Sequence, residues 1–333
     1  MSASVLLTVL GATIPRLPAT QYTWCGHTCS YVTAGPEASE RPPIVLIHGF
    51  AGSAYNAWRA TIPALARTHR VYALDLLGLG ASAKPTDVRY SIELWRDQCA
   101  DFVRERCETP PVVIGHSFGS LIALELARMS ECRAIAMMNC AIGMNNKNAL
   151  ALDAWRREQP ASVTADLSPL PVAAWQLAAF GAVLSAVDAL FSQRWLLSAL
   201  LERFATAPTV RNTLISAVYK DASRVDAPLV DDYVSLAADR RAACEVLRQI
   251  YTNEAGPLPF EALGVLDEDT PLLAVWGDDD RIAPADGPVG RCLAARARRL
   301  DATQFERLPA GHVPQDDCPE ETNTLLLQWL EQL

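Results

Sequence analysis

Short apolar runs alternate with amphipathic stretches along most of the chain. The runs have the length and the branched residues of buried strands, and they cover residues 44–48, 71–75, 112–115, 134–138, 271–276 and 304–308. The amphipathic stretches have helical spacing, and they cover residues 58–67, 90–107, 120–129, 290–299 and 320–333. This alternation predicts βαβ units, and therefore an α/β fold with a mostly parallel, doubly wound sheet that helices cover on both faces.

The middle of the chain, residues 144–255, follows a different pattern. It is rich in Ala, Leu and Trp, its spacing is helical, and it lacks strand-like runs of β-branched residues. We therefore predict a helical cap (lid) inserted into the sheet domain. The predicted division is an N-terminal extension over residues 1–20, a first part of the core over 21–143, the cap over 144–255 and a second part of the core over 256–333.

Within this cap, residues 167–187 carry no charged side chain. The stretch is long enough to span a bilayer, but Pro169, Pro171, Gln176 and Ser185 interrupt it. We therefore predict a buried or substrate-lining helix. The alternative is a helix that lies on a membrane surface, which would give the protein a peripheral membrane contact through its cap.

The charge balance removes one class of partner. Lys and Arg number 29 against 38 Asp and Glu, which gives a net charge of −9, and 50% of the residues are hydrophobic. Such a chain is typical of a globular protein, and it lacks the positive charge that binding to nucleic-acid phosphates requires. We expect no nucleic-acid partner, and the composition leaves the oligomeric state open.

The nine cysteines are an odd number without paired spacing, which predicts a reducing, intracellular compartment rather than a disulfide framework. Cys25, His27 and Cys29 have metal-ligand spacing, but no second cluster completes a set of four ligands, so we predict no metal site. Residues 1–15 precede the first basic residue, Arg16, and therefore fit a secretory signal poorly. A truncated organelle transit sequence remains open.

One motif carries catalytic chemistry. The Gly-His-Ser-Phe-Gly segment from Gly115 to Gly119 follows an apolar strand and opens an amphipathic helix, which is the context of a nucleophile turn. The sharp turn forces Ser117 into a strained conformation, and glycines two residues before and after it let the neighbouring backbone pass. The hydroxyl then projects near a helix N-terminus, which favours developing negative charge. We predict that Ser117 is a nucleophile for acyl transfer.

A serine nucleophile needs a base, and the base needs an acid that orients it. Of the five histidines, four lie inside motif turns or in N-terminal segments, which leaves His312 after the last predicted strand. The acid should follow a strand between the serine and the histidine. Three candidates stand there, Asp278, Asp279 and Asp280.

The chain order of serine, acid and histidine is that of the α/β-hydrolases, and the sequence resembles that superfamily from Tyr22 to Leu333. In the family the acid segment reads Gly-x-x-Asp with a proline four residues after the acid. The match to Asp280 and Pro284 implies that Asp280 is the partner of His312. The resemblance implies the α/β-hydrolase fold and a hydrolase that needs no cofactor.

The same resemblance implies an oxyanion hole. The His-Gly-Phe turn that ends at Phe50 is similar to the family's oxyanion turn, which implies the backbone N–H groups of Phe50 and Phe118 as donors, each worth about 10²–10³ in rate. Residues 75–82 resemble a structural turn of the family. Their formal match to a dinucleotide fingerprint fails at Pro85, which prevents the helix that would bind a pyrophosphate. Dehalogenases and epoxide hydrolases of this fold carry Asp at the position of Ser117, which excludes their alkyl-enzyme mechanism.

A narrower resemblance concerns the substrate. Four segments resemble the chloroplast-type branch of plants and algae that includes pheophytinase and chlorophyll dephytylase, namely residues 24–27, 44–50, 71–82 and 95–98. Residues 309–312, 314, 316 and 319–320 are similar to the histidine segment of pheophytinase. Plant members commonly have Asn before the serine and Gly-Gly after it, where this chain has His116 and Gly119-Ser120. The resemblance implies a bulky hydrophobic ester as substrate, such as the phytyl ester of chlorophyll or pheophytin, and a chloroplast location.

An apolar substrate pocket would be lined by aromatic residues of the cap and by the residue before the nucleophile. These candidates are His116, Trp155, Trp175, Phe180 and Trp195. The alternative, of equal weight, is that the aromatic residues form the cap's own core. Other functions also stay open: another lipase or esterase, a thioesterase, a C–C bond hydrolase, or a non-catalytic small-ligand receptor on the same scaffold.

Overall fold

A computed structural model of the protein describes residue 14, residues 16–158 and residues 174–333. In this part of the chain eight strands form one sheet, β1 Ala19–Trp24, β2 His27–Ala34, β3 Ile44–Ile47, β4 Val71–Asp75, β5 Val112–His116, β6 Ala134–Met138, β7 Leu272–Gly277 and β8 Thr303–Leu308. Their order across the sheet is β1-β2-β4-β3-β5-β6-β7-β8. Strands β3 to β8 run parallel, and β2 is antiparallel to both of its neighbours. This sheet confirms the predicted fold.

The α-helices of the same residues are numbered in chain order. They are α1 Ala54–Trp58, α2 Ile62–Leu65, α3 Ile92–Arg106, α4 Phe118–Arg128, α5 Lys147–Glu158, α6 Ala174–Ser192, α7 Arg194–Phe204, α8 Ala207–Thr213, α9 Ala227–Ser235, α10 Arg240–Thr252, α11 Pro259–Val265, α12 Pro288–Arg299, α13 Pro314–Asp317 and α14 Pro319–Leu330. A π-helical turn covers Leu214–Val218, and a 3-10 turn covers Ala222–Arg224. Helices α5 to α10 and both turns lie where the cap is predicted, and we call this segment the cap.

Helices bury the sheet on both faces. Strands β3, β5 and β6 are buried at every position, which is why they read as continuous apolar runs. Helices α3 and α4 cover one face, where Trp95 and Phe102 are buried. Helices α1, α2 and α14 cover the other face around Trp58 and Trp329. The sheet is thus a rigid platform whose carboxyl edge carries the loops after the parallel strands.

One predicted helix is wrong. Residues 58–67 form no single helix, because α1 ends at Trp58 and α2 begins at Ile62. Pro63 lacks the N–H that would continue a helix by donating to the carbonyl of Arg59. The other predicted strands and helices match the structure to within three residues at each end.

Two predictions lie partly outside the described residues. Of the predicted N-terminal extension, the structure describes only residue 14 and residues 16–20. Of the uncharged stretch, residues 167–173 lie outside the described part, and the remainder belongs to α6. Within residues 16–158 and 174–333, no helix is both long and apolar enough to cross a membrane.

Candidate active site

Ser117 lies at the turn between β5 and α4. Its backbone has φ 54° and ψ −124°, the strained conformation that the motif predicts. Glycine is required at positions 115 and 119 because neither position has room for a side chain. A Cβ atom on Gly115 would lie 2.2 Å from the carbonyl oxygen of Gly119, and one on Gly119 would lie 2.4 Å from that of Ile47. Only this tight backbone packing lets the serine sit at the carboxyl edge of the sheet.

Three side chains at this edge form a hydrogen-bonded line. Ser117 follows β5, Asp280 follows β7 and His312 follows β8. Ser117 Oγ lies 3.2 Å from His312 Nε2, and His312 Nδ1 lies 2.9 Å from Asp280 Oδ2. We assign the imidazole proton to Nδ1, which donates to the carboxylate, so that Nε2 accepts from the serine hydroxyl. All three residues are buried.

Asp280 is the one of the three candidate acids that contacts the histidine. Asp278 instead pairs with Arg307 at 2.6 Å, and Asp279 pairs with Lys220 at 2.5 Å. Both of these carboxylates are about half exposed, at 46% and 50%. The Gly-x-x-Asp spacing therefore selects the acid that the folded chain places beside the imidazole.

The Asp280 carboxylate is held by four hydrogen-bond donors. Besides His312 on Oδ2, Asn139 Nδ2 donates to the same oxygen, and Oδ1 accepts from the backbone N–H groups of Ile282 and Ala283 at 2.8 and 3.0 Å. Burial alone would raise the pKa of Asp280. The hydrogen bond and the charge of His312 favour the carboxylate, and so do the hydrogen bonds from Asn139 and from the backbone of Ala283. Together they outweigh burial and lower the pKa of Asp280 below its ordinary value. The carboxylate is therefore kept charged beside the imidazole.

Asn139 is a site residue that sequence reasoning missed. It follows β6 with φ 46°, a left-handed conformation that Asn tolerates better than most residues. Its side-chain oxygen accepts from the backbone N–H of Gly277 at 3.2 Å. A single Asn at the end of an apolar strand was the available signal, because strand ends on this edge carry the functional loops.

Replacing Asn139 with glycine is expected to lower kcat by about tenfold or more, because a hydrogen bond to a charged group is worth about 1.5–3 kcal/mol. Glycine keeps the left-handed backbone and removes one donor to Asp280. The charged carboxylate is then less stabilised and less firmly oriented towards His312. Steady-state kinetics of both proteins measure the loss, with urea unfolding as the control for the fold, and an unchanged kcat would contradict the role of Asn139.

His116 supports the backbone of the base. Its ring Nε2 lies 2.8 Å from the carbonyl oxygen of His312, to which the neutral ring donates. Burial, followed by the positive charge that His312 can carry, lowers the pKa of His116 to about 3. The ring is buried and is not among the residues that line the cavity described below. Its contact with the His312 carbonyl therefore positions the loop that carries the base.

The low pKa of His116 makes the stability of the fold depend on pH. In the unfolded chain a histidine takes up a proton below about pH 6.5, whereas the folded protein resists this down to about pH 3. The stabilisation is thus present above pH 6.5 and is lost as the pH falls towards 3, by up to about 1.4 kcal/mol per pH unit. In His116→Gln we expect a shallower slope of unfolding free energy against pH over this window. Equal slopes in urea titrations of the two proteins would contradict the assignment.

Two backbone N–H groups belong to the loops that meet at Ser117. Phe118 is the first residue of α4, and Phe50 lies in the loop after β3. Neither N–H donates a hydrogen bond within the residues that the structure describes. A Cβ atom on Gly49 would lie 2.7 Å from that of Ser117, so the two loops touch. The Phe118 ring stacks on Trp95 at 5.0 Å, which fixes the start of the helix.

His48 is unsuited to be the base because both of its ring nitrogens are engaged. Nδ1 lies 2.8 Å from the Gly49 carbonyl, and Nε2 accepts from the Leu76 N–H at 3.1 Å. Burial lowers the pKa of His48, so the ring is neutral. It joins the loop after β3 to the turn after β4.

The loop that carries His312 is tied to the cap. The backbone N–H of His312 donates to the carbonyl of Val218 at 2.7 Å. The Asp317 carboxylate accepts from two backbone N–H groups in residues 220–221, both at 2.8 Å, and from that of Gly311. The cap therefore contributes directly to the position of the imidazole.

A buried ion cluster lies beside this contact. Arg59 Nε and Nη2 each lie 2.9 Å from an oxygen of Asp316, and Arg59 Nη1 lies 2.6 Å from Asp226. The hydroxyl of Tyr219 donates to Asp316 at 2.9 Å. Burial alone would lower the pKa of Arg59, but the hydrogen bonds and charges of the two aspartates raise it above its ordinary value. The cluster joins α1 and α13 of the core to the cap through charged side chains.

A cavity of about 310 Å³ opens beside Ser117. Its wall is mostly apolar and includes Cys140, Ile142, Phe180, Trp276, Ile282 and Val289. Phe180 comes from α6 of the cap, and the last three come from β7, the loop after it and α12. The space next to the nucleophile thus suits an apolar group.

Three of the four aromatic residues expected to line this cavity do not. Trp175 and Trp195 are exposed at 71% and 72%, and Trp155 packs against Phe260 with ring centroids 5.9 Å apart. Phe180 follows Trp175 by five residues, which turns it by about 140° around the helix. The two side chains therefore lie on opposite sides of α6, and only Phe180 lines the cavity.

The cysteines near the N-terminus lie in a hairpin. Cys25 is exposed in the turn between β1 and β2, and Cys29 is buried in β2. Across the described ranges, no group of three or more His, Cys, Asp or Glu side chains could hold a metal ion.

Comparisons with known proteins agree with this geometry. The sequence profile of the α/β-hydrolase fold matches residues 42–319. The 30 kDa subunit of magnesium chelatase from Rhodobacter capsulatus is 26% identical over 301 residues, 90% of each chain. A 2-hydroxymuconate semialdehyde hydrolase from Pseudomonas sp. is 37% identical over 103 residues, 30% of this chain and 36% of that one. The crystal structure of a serine hydrolase involved in carbazole degradation has a TM-score of 0.64 at 18% identity, covering 96% of this chain and 100% of the other. The chain therefore belongs to the α/β-hydrolase family.

Proposed function

We propose that the protein is a serine carboxylic-ester hydrolase that acts through an acyl-enzyme. The observation that carries this proposal is the hydrogen-bonded line of Ser117, His312 and Asp280 on a strained turn. A serine held in this way is deprotonated as it attacks, because the imidazole accepts its proton and the carboxylate stabilises the resulting imidazolium.

In the first half of the proposed reaction, Ser117 Oγ attacks the ester carbonyl carbon while His312 Nε2 takes the hydroxyl proton. The N–H groups of Phe50 and Phe118 donate to the oxyanion, and each such donor contributes about 10²–10³ in rate. The C–O bond to the alcohol then breaks, and His312 returns the proton to the leaving oxygen. In the second half, His312 deprotonates a water molecule that attacks the acyl-enzyme and releases the acid.

The proposed substrate has a bulky hydrophobic group. The mostly apolar wall of the cavity beside Ser117 supports this choice, since a polar group would lose hydration there and find few hydrogen-bond partners. The finer proposal is the phytyl ester of chlorophyll or pheophytin, supported by the resemblance to the chloroplast-type branch. The same resemblance supports a chloroplast location, and the nine scattered cysteines support a reducing compartment.

Two other functions have a specific observation in their favour. Similarity to the Pseudomonas semialdehyde hydrolase favours cleavage of a C–C bond by the same three residues. Similarity over 90% of each chain to the 30 kDa subunit of magnesium chelatase favours a role as one subunit of a larger assembly. The arrangement around Ser117 supports catalysis over a purely non-catalytic role in such an assembly, because binding alone needs no strained serine beside an imidazole.

The substrate is tested by incubating the protein with chlorophyll a, pheophytin a, para-nitrophenyl esters of short and long acids, and 2-hydroxymuconate semialdehyde. Chromatography then detects the products. Release of dephytylated pigment supports the finer proposal, and release of para-nitrophenol without pigment products supports an esterase for another apolar ester. Turnover of the semialdehyde alone would replace ester hydrolysis with C–C cleavage. No turnover of any substrate would favour the non-catalytic role.

A further inference from the structure

Helix α6 has an apolar face that points into solvent. One side of the helix carries only apolar residues, namely Trp175, Ala178, Ala179, Ala182, Val183, Ala186, Ala189 and Leu190, and all of them are exposed. Trp175 is 71% exposed and Val183 57% exposed. A helix face in water normally carries charged and polar residues. This face has none, which makes it unusual for a surface of a protein with a net charge of −9.

The opposite side of α6 is already used. Phe180 lines the cavity beside Ser117, and the ring of Phe191 lies 4.3 Å from that of Tyr251 on α10. These two side chains hold the helix against the rest of the protein. The outward apolar face therefore contributes little to packing among the described residues.

Arginines surround the C-terminal end of this face. A cleft of about 480 Å³ is lined by Arg194, Trp195, Arg240 and Arg241 among other residues, and Trp195 is 72% exposed. Arg194 and Arg240 pair with glutamates at 3.0 and 3.1 Å. Glu245, the partner of Arg194, also lines the cleft. For Arg241, and for Arg203 on the same helix as Trp195, no ion pair is found in the described part of the chain.

We propose that this surface, the outward face of α6 with Trp195 and the arginines, docks on an anionic lipid bilayer. Tryptophan favours the boundary between lipid and water, and arginine binds lipid phosphates in two-point contacts. A protein with a net charge of −9 is repelled by an anionic bilayer unless a locally basic surface faces it. The apolar face and the basic cleft together supply both contacts on one side of the cap.

This proposal rests on the proposed function and deepens it. Gln176 and Phe180 line the cavity of Ser117 and stand on the same helix as the docking face. Docking would therefore leave one helix, α6, between the cavity and the bilayer in which a hydrophobic ester is dissolved. The proposed contact is peripheral, since α6, as far as the structure describes it, does not combine the length and apolarity of a membrane-spanning helix.

Co-sedimentation of the full chain with vesicles tests the proposal. We expect at least about tenfold stronger partitioning to phosphatidylcholine vesicles that contain phosphatidylglycerol than to phosphatidylcholine alone, and weaker binding as salt is added. Trp175→Ser combined with Val183→Ser should reduce binding at least about tenfold through lost apolar burial. Arg203→Glu combined with Arg241→Glu should remove the preference for the anionic vesicles.

Matched variants elsewhere on the surface provide the controls. Met129→Ser with Val265→Ser changes two exposed apolar residues outside the cap, and Arg67→Glu with Arg298→Glu reverses two exposed charges. Both controls should bind like wild type. Equal binding to the two kinds of vesicle, or equal losses in control and docking variants, would overturn the proposal. So would a dimer in light scattering that the Trp175/Val183 variant dissociates, combined with no vesicle binding, since a second copy would then cover the face.

A parallel assay separates this proposal from the proposed function. In the absence of vesicles, the docking variants should hydrolyse a soluble para-nitrophenyl ester as fast as wild type. In the presence of vesicles, their rate on an ester dissolved in the lipid should fall with their binding. Wild-type protein that binds anionic vesicles but hydrolyses no ester would support docking and reject the esterase.

Discussion

Replacing Ser117 with alanine is expected to lower kcat for ester hydrolysis by about 10⁶-fold, because loss of a triad nucleophile removes the covalent route altogether. The residual rate would come from binding and from the oxyanion donors at Phe50 and Phe118. The free energy of unfolding should change by less than about 1 kcal/mol. Alanine keeps the same Cβ atom in the strained backbone, and only one hydrogen bond, at 3.2 Å to His312, is lost.

Steady-state kinetics on a soluble ester and urea unfolding measure these two quantities. Ser223→Ala is the matched control, because it removes an exposed serine hydroxyl for which no hydrogen bond is found in the described part of the chain. The control should keep both the wild-type rate and the wild-type stability. Retained turnover in Ser117→Ala would remove this serine from the mechanism. A large loss of stability would mean that the turn between β5 and α4 depends on the serine hydroxyl.

Replacing Arg59 with methionine is expected to destabilise the protein by about 3 kcal/mol, because the buried Asp316 carboxylate keeps only the longer ion pair with Arg224, at 3.4 Å. The Asp316 side chain is fully buried, and that of Arg59 is 1% exposed. Without the guanidinium, each oxygen of Asp316 loses a hydrogen bond from Arg59. Asp226 loses its ion pair with Arg59. Since this cluster borders the loop of His312, kcat should fall as well.

Chemical unfolding of three variants resolves the cause. The double variant Arg59→Met/Asp316→Leu should be less destabilised than the sum of the two single variants, since it leaves neither charge of the pair behind. Arg104→Met, which breaks an exposed pair with Asp101 and Glu131, should stay close to wild type. Full additivity of the two buried substitutions would contradict the account of an ion cluster whose members depend on each other.

The sheet and the triad of Ser117, His312 and Asp280 could be predicted from the sequence because each strand and each triad residue is marked by a short stretch of neighbouring residues. Each central strand is a short apolar run that is buried on both sides, and each functional residue follows such a run. Ser117, Asp280 and His312 stand at strand ends, and parallel strands bring their carboxyl ends to one edge. The residues alone left three neighbouring aspartates open, and the resemblance to the family's acid segment, with Pro284 four residues after the acid, implied Asp280.

The ion cluster could not be predicted in this way. Arg59 and Asp316 are 257 residues apart, and neither belongs to a periodic pattern that marks a buried face. A charged residue in a sequence is usually solvated, so burial of this pair depends on how the cap closes over α1 and α13. The same holds for Asp317, whose partners in the cap are backbone N–H groups that no side-chain pattern reveals.

The cap aromatics show a different limit. Composition indicated an apolar lining, but the lining residues depend on how each helix is rotated about its axis. The 140° between Trp175 and Phe180 was available from the sequence and rules out that both line one cavity. Which of them faces inward is decided by contacts such as that of Phe191 with Tyr251, which only the folded structure provides.

The central claim is that Ser117 is an activated nucleophile. Treating the protein with a fluorophosphonate, followed by peptide mapping in a mass spectrometer, tests it most directly, because such reagents form a stable bond only with an activated serine. The account predicts a single adduct on Ser117 in the wild-type chain and no adduct in Ser117→Ala. An unlabelled wild-type chain, or an adduct on a different serine, would contradict it.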